Sequence, residues 1–294
     1  MPNGLIIKAL AGYYYVYDKG TITQCRARGV FRKQKRSPLV GDQVEYQAEN
    51  ETDGYVMDIM ERSNELVRPP IANVDQAFLI FSAKEPNFST TLLDRFLVHV
   101  ERQEILPIII ITKMDLVHQQ DEKVDIETVV SLYKEIGYTV LYASSKEQLD
   151  PSTLTPYIEG KVTVIAGQSG VGKSSFLNTL KPGMNLETNE ISSHLGRGKH
   201  TTRHVELIEI EKGLIADTPG FSSLDFEDME QEELRFYFPE FVERMDGCKF
   251  RGCLHDKEPK CAIKDAVKDG QIQASRHEHY LQFLEEVKSQ KRRY

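Results

Sequence analysis

The sequence predicts a multidomain protein of three unlike parts: an N-terminal all-β barrel, a central α/β domain on a parallel sheet, and a C-terminal, mostly α-helical piece. Three observations carry this reading. The first 67 residues alternate short β-branched runs with turn residues. After Pro69-Pro70, apolar strand-length runs alternate with stretches of helical spacing. Beyond about residue 221 the chain is charged and rich in helix formers, and three of its four cysteines lie between Cys248 and Cys261. The expected boundaries are 1–67, 68–222 and 223–294.

In the first part, residues 4–10, 13–17, 21–28, 43–47 and 54–59 read as strands, parted by turns such as Asp18-Lys19-Gly20 and Asp53-Gly54. Five short strands in this length fit an OB-fold, a small barrel that commonly binds nucleic acid. Residues 26–36 carry Arg26, Arg28, Arg32, Lys33, Lys35 and Arg36 with no acid among them, in what should be a projecting loop with Phe31 at its middle. Beside such a barrel these six cations are candidate RNA contacts. Cys25 reads as a small buried residue. Pro69-Pro70 marks a stiff linker.

In the second part, 76–83 and 105–111 are apolar strands, 91–102 and 126–136 have helical spacing, and 138–143, 161–166 and 213–216 are further strands. Near-continuous Ile/Val/Leu strands interleaved with helices indicate a parallel sheet covered on both faces.

Composition narrows the function classes. Lys plus Arg number 37 against 45 Asp plus Glu, a net charge of −8, so the surface as a whole is no nucleic-acid cloak, although a local basic patch remains possible. No apolar run reaches the ~18 residues of a membrane span, and Met1 is not followed by a signal-peptide pattern. Secreted, membrane-spanning and disordered readings are poor, and a reducing cytoplasm is expected.

The sharpest chemical signal is Gly167-Gln168-Ser169-Gly170-Val171-Gly172-Lys173-Ser174, followed by Ser175, which matches G-x-x-x-x-G-K-[ST] between a strand and a helix. Glycines let backbone N–H groups turn inward around a pyrophosphate, and the helix N-terminus adds favourable partial charge. Lys173 is expected over the β- and γ-phosphates and the Ser174 hydroxyl on Mg²⁺. Thr112-Lys113-Met114-Asp115 follows a buried strand, where ligands of open α/β sheets bind. A carboxylate at Asp115 accepts hydrogen bonds from the guanine N1–H and 2-amine, whereas adenine leaves it unpaired. Asp217-Thr218-Pro219-Gly220 offers a Mg²⁺ carboxylate and a γ-phosphate contact at Gly220, and Ser144-Ser145 suits a loop closing over the base. Residues 196–203 form a basic, glycine-containing segment, with Thr201 and Thr202 as alternative Mg²⁺ hydroxyls. Lys113 precedes Lys173, the reverse of the usual order, so the domain reads as circularly permuted. Cys248-x₄-Cys253-x-His255-x₅-Cys261 supplies three thiolates and an imidazole, a closed tetrahedral shell for one structural Zn²⁺. His277 and His279 are expected to be exposed on a charged helix. Lys288, Lys291, Arg292 and Arg293 form a basic tail that fits either RNA contact or a solvated terminus.

Taken together, the permuted motif order and the Cys-Cys-His-Cys cluster resemble the ribosome small-subunit-dependent GTPase A family, circularly permuted bacterial GTPases, over essentially the whole chain. The resemblance implies an OB-fold, a GTPase domain and a zinc domain. It also implies a role in late maturation of the 30S subunit, with 16S rRNA as partner and GTP hydrolysis stimulated by the particle, while no coiled-coil pattern points beyond a monomer. An RNA-binding assembly factor with a mainly structural nucleotide is the alternative. Phe221 stands where a water-orienting glutamine is often found, so intrinsic hydrolysis should be slow, and His200 is the candidate to orient water once the switch segment is ordered. Gly170 stands where potassium-assisted GTPases carry asparagine, so no potassium requirement is expected.

Overall fold

The computed structural model describes residues 1–34, 36–67, 69–143, 153–181, 205–217 and 224–290. Five strands, β1 (Asn3–Leu10), β2 (Tyr13–Asp18), β3 (Thr21–Ala27), β4 (Gln43–Asn50) and β5 (Asp53–Ile59), run in the order β1-β2-β3-β5-β4, and β4 returns to β1 through Gly4 opposite Val44. All pairs are antiparallel except β3 with β5. Strand alternation turns Ile6, Val16, Cys25, Val44 and Val56 inward, each fully buried. Burial pushes the Cys25 thiol up to about 11, so this lone cysteine is an inert filler of the barrel.

Two expectations need correction here. Residues 26–36 are not a free loop: a short helix α1 (Gly29–Lys33) follows β3 and drives Phe31 into the core. Nor is the proline pair the stiff linker expected between two parts. It lies in the turn between β6 (Glu65–Leu66) and β7 (Ile71–Ala72), which pair with each other, and Ile71 is fully buried. Arg62 grips the buried Asp42 through two hydrogen bonds of 2.7 Å, tying this turn region to the barrel.

The central sheet has strands β8 (Gln76–Ser82), β9 (Leu106–Thr112), β10 (Thr139–Ala143), β11 (Val162–Ala166), β12 (Glu206–Ile210) and β13 (Gly213–Asp217), in the order β10-β9-β8-β11-β13-β12. The first five in that order are parallel. All seven residues of β8 are buried, because side chains leave the strand to two covered faces. Ala77, Leu79 and Phe81 face helices α2 (Thr90–Arg102) and α3 (Gln120–Ile136), while Phe78 and Ile80 face α4 (Thr155–Ile158) and α5 (Lys173–Leu180). The wholly parallel sheet expected from sequence is corrected at one edge. β12 is antiparallel to β13, and its outer side meets β1 at Glu206 opposite Lys8, with their side chains 2.8 Å apart. Barrel and central strands thereby form one continuous sheet.

The C-terminal region comprises α6 (Pro239–Val242), α7 (Ala262–Lys268) and α8 (Ala274–Gln290) with two 3-10 turns. It is fixed to the central domain by a buried charge cluster. Arg276 donates to Asp94 of α2 at 2.6 Å and to both oxygens of Glu240 at 2.6 and 3.1 Å. Asp94 also accepts from the Tyr133 hydroxyl at 2.6 Å and contacts His279 Nδ1 at 2.6 Å. Burial alone disfavours the Arg276 charge, but Asp94 and Glu240 hold it well above the ordinary arginine range. Nearby, Arg95 forks onto Glu286 at 2.5 and 2.6 Å, with its guanidinium 4.8 and 4.7 Å from the Phe226 and Phe283 rings. The expected exposure of His277 and His279 is therefore wrong. His279 bridges Asp94 and Thr91, and His277 Nε2 lies 2.8 Å from the His255 carbonyl.

Replacing Arg276 with Ala strands two buried carboxylates, and a stability loss of about 3–5 kcal/mol is expected. Urea unfolding measures it; a loss below ~1 kcal/mol contradicts this account of how α8 is held.

Candidate nucleotide site and metal centre

Residues 167–172 connect β11 to α5. Gly167 has φ +149°, and a Cβ there would lie 2.2 Å from the Ile80 carbonyl oxygen, so the loop backbone rests directly on β8. Gly170 and Gly172 take φ of +82° and +97°, conformations that side chains other than glycine resist. Val171 is buried beneath the loop, while Gln168, Ser169 and Gly170 are exposed on top. Lys173 opens α5, and its ammonium donates to the carbonyls of Gly167 at 2.8 Å and Gln168 at 2.6 Å. Partial burial pulls its pKa below the usual lysine value. Ser174 is buried and Ser175 half-buried in the first helical turn. The result is a glycine-shaped loop at a helix N-terminus with a lysine at its rim, an anion cradle.

Thr112 ends β9, one strand beyond β8. Its buried hydroxyl donates to the Val171 carbonyl at 2.5 Å, joining the two motifs directly. Lys113 takes φ +57° and its ammonium donates to the Glu85 carbonyl, which orients the chain as it turns. Met114 and Asp115 follow on a 3-10 turn, Met114 packed on the core and Asp115 half-buried. β13, which carries Asp217 at its end, lies on the other side of β11. The expected pieces thus meet at one edge of the sheet, the carboxyl ends of β9, β11 and β13. Ser144, Ser145, His200, Thr201, Thr202 and Gly220 lie outside the described residues, and Asp217 is placed by its backbone alone. The tether made by Thr112 and the acceptor role of the Glu85 carbonyl have no spacing signature in the sequence, because each acts between segments far apart along the chain.

In the C-terminal region, the donor atoms of Cys248, Cys253, His255 and Cys261 all lie within 4.8 Å of one another. Individual separations are 3.7 Å from Cys248 Sγ to His255 Nδ1, 3.9 Å from Cys248 Sγ to Cys261 Sγ, and 3.3 Å from His255 Nδ1 to Cys261 Sγ. A Zn–S bond of about 2.3 Å in a tetrahedron puts sulfurs about 3.8 Å apart, so the donor set fits zinc. Burial, aided by the Arg235 charge, lowers His255 to about 4, leaving a neutral imidazole able to ligate. Burial pushes Cys253 up to about 12, a cost that a bound dication offsets by stabilising the thiolate.

Of the basic stretch, Arg26, Arg28 and Lys33 are exposed, with Arg26 donating to the Tyr13 hydroxyl at 2.8 Å. Arg36 is half-buried and donates to the Met60 carbonyl at 2.7 Å, so part of its hydrogen-bonding capacity is structural. Lys35 and the side chain of Arg32 lie outside what the structure describes. Among the described residues no helix is long and apolar enough to cross a membrane.

The chain matches known proteins along its whole length. The family model described as RsgA GTPase matches residues 59–227, and that of the RsgA N-terminal domain matches residues 3–56. The small ribosomal subunit biogenesis GTPase RsgA of Shouchella clausii is 65% identical over 294 residues, covering all of both chains. The protein of that name from Bacillus subtilis is 59% identical over 298 residues, again covering both chains fully. Among solved structures, YloQ, described as a circularly permuted GTPase, is 54% identical with a TM-score of 0.87, covering 100% of this chain and 97% of its own. YjeQ from Thermotoga maritima is 35% identical with a TM-score of 0.86, covering 97% and 98%. With a family model over more than half its length and relatives aligned from end to end, the chain belongs to the RsgA GTPase family and is a GTP hydrolase.

Proposed function

We propose that this chain hydrolyses GTP while bound to the small ribosomal subunit during its late maturation, and that the subunit stimulates the reaction. The observation that carries the nucleotide reading is the hydrogen bond from Thr112 to Val171, which brings the base-type motif and the phosphate-type loop to one edge. The functional division follows 1–67, 68–222 and 223–294, in a cytoplasmic monomer.

In this reading the N–H groups of 167–175 hold the phosphates, and Lys173 exchanges its two loop carbonyls for phosphate oxygens. The Ser174 hydroxyl, the Asp217 carboxylate and either Thr201 or Thr202 are the residues to hold Mg²⁺, which when bound neutralises phosphate charge. Thr112, Lys113, Met114 and Asp115 hold guanine, with Ser144 and Ser145 over it and Gly220 at the γ-phosphate. His200 orients the attacking water. One Zn²⁺ on Cys248, Cys253, His255 and Cys261 is structural, since four protein ligands leave no open position. Arg26, Arg28, Arg32, Lys33, Lys35 and Arg36 face 16S rRNA; their support is local charge on a barrel of five strands.

Replacing Asp115 with Asn should swap base preference. The amide no longer accepts from the 2-amine but donates to a 2-carbonyl, so affinity for GTP falls by about a hundredfold or more while xanthosine triphosphate binds. Calorimetry with both nucleotides decides this, and unchanged GTP affinity rejects the assignment.

GTP hydrolysis measured in parallel with purified 30S, 50S and 70S particles should rise most with 30S. Equal stimulation by 50S overturns the small-subunit reading. His200→Ala should lose most of the 30S-stimulated rate; wild-type turnover on 30S removes His200 from the mechanism.

Elemental analysis should find one zinc per chain, and Cys261→Ser should lose it with a fall in thermal midpoint. Full zinc retention by that variant contradicts the ligand set.

A further inference from the structure

We infer that the connection between β8 and α2, residues 83–89, is a positioning element for the guanine nucleotide, and that Ser82 and Glu85 set it by giving the Lys113 ammonium a fixed acceptor. Neither Ser82 nor Glu85 belongs to a nucleotide motif. Ser82 closes β8 directly opposite Thr112 of β9, and the Ala83 N–H donates to the Thr112 carbonyl at 2.9 Å. The connection therefore leaves the sheet beside the start of the base-type motif.

Its course is imposed, not chosen by local preference. Glu85 and Lys113 are both non-glycine residues in the left-handed region, at φ +58° and +57°, and the Lys113 ammonium donates to the Glu85 carbonyl. Such conformations persist only where the surroundings over-determine them. Here the buried Ser82 hydroxyl donates to the carbonyl of the next residue, Pro86, at 2.6 Å. The Lys84 ammonium lies 3.0 Å from both carboxylate oxygens of Glu122 on α3. At the far end Phe88 packs on Phe81, with ring centroids 5.7 Å apart, and Ser89 caps α2 by accepting from the Leu92 N–H at 3.3 Å. The Glu85 side chain is exposed, so its contribution to Lys113 is made by the backbone.

The same connection reaches the phosphate-type loop. A Cβ built on Gly170 would lie 3.9 Å from Pro86 Cδ. Residues 83–89 thus touch both nucleotide motifs from above β8, the strand between β9 and β11. A lysine on its flexible stem wanders unless the ammonium is held. Fixing it on the Glu85 carbonyl orders residue 113 in the motif that ends in Asp115, so ordering that binding would otherwise require is built into the fold. The gain falls on ground state and transition state alike, and so on affinity, not on the chemical step.

This inference rests on the reading of residues 112–115 as the base site. Affinities for GDP and GTP are measured by calorimetry on full-length, zinc-loaded protein, with KM, kcat and thermal midpoint alongside. Ser82→Ala should weaken both nucleotides about tenfold, because the pin on the connection is lost. Since the acceptor is a backbone carbonyl, a second test changes conformation and leaves the acceptor's chemistry alone. Glu85→Val, β-branched and resistant to positive φ, should weaken binding similarly, and Glu85→Asn, which tolerates that φ, should restore it. KM for GTP should rise in parallel while kcat at saturation stays at the wild-type value. In a Lys113→Ala background, Ser82→Ala should add little, because both changes act on the same interaction. Wild-type affinity in Ser82→Ala or Glu85→Val, a fall in kcat with KM unchanged, or additive losses with Lys113→Ala overturns the inference. So does a loss of affinity matched by a lowered thermal midpoint in both variants. If Asp115→Asn still exchanges GTP for xanthosine triphosphate while these variants bind normally, only this inference falls; if Asp115→Asn leaves GTP affinity unchanged, the base-site reading falls with it.

Discussion

One buried hydroxyl sets the geometry of the nucleotide site. Thr112 lies at the carboxyl end of β9, and its bond to the Val171 carbonyl crosses over β8 to the phosphate-type loop. A base and a triphosphate must be gripped at a fixed separation, and in the proposed site that separation follows from a parallel sheet whose strands are spaced by backbone hydrogen bonds. Chain order is immaterial to such a site. The sheet brings residues 112–115 and 167–174 together although the first group comes earlier, which is why a permuted chain keeps the chemistry.

The second constraint is the Arg276 cluster. A guanidinium enclosed by Asp94, Glu240 and the Phe238 ring, 4.5 Å from its centroid, is costly to bury and more costly to leave half-paired. It therefore fixes α8 against α2 in one arrangement. Tyr133 of α3 donates to the same Asp94, and its ring centroid lies 5.9 Å from the Arg276 guanidinium, so α8 is bonded to α2 and packs on α3. Among the described residues, packed helices and paired charges hold the zinc-type centre relative to the central sheet.

Much of this was legible in the sequence, for physical reasons. Strands such as Gln76–Ser82 announce themselves because both faces are buried and no polar alternation intervenes. The P-loop is legible because positive φ and close backbone approach demand glycine at fixed positions. The cysteine cluster is legible because its ligands are close in sequence. What was not legible acts over long separations. Asp94 and Arg276 are far apart along the chain, and nothing in either neighbourhood names the other. The short strand Glu206–Ile210 has apolar residues at 207, 208 and 210, a pattern shared by strand and helix, so its antiparallel pairing and its contact with β1 went unread. Six cations around Phe31 give the stretch the look of a projecting loop, whereas the ring itself is buried in the core.

The meeting of β1 with β12 has a consequence for anyone dissecting this chain. An outermost strand with unsatisfied amide and carbonyl groups is a template for self-association. In the intact protein the barrel caps that border of the nucleotide sheet at Lys8 and Glu206. A truncated GTPase fragment lacking the first strand would uncover it, so insolubility or fibrous assembly of such a fragment would report a bared border, not an intrinsic failure of the nucleotide domain to fold.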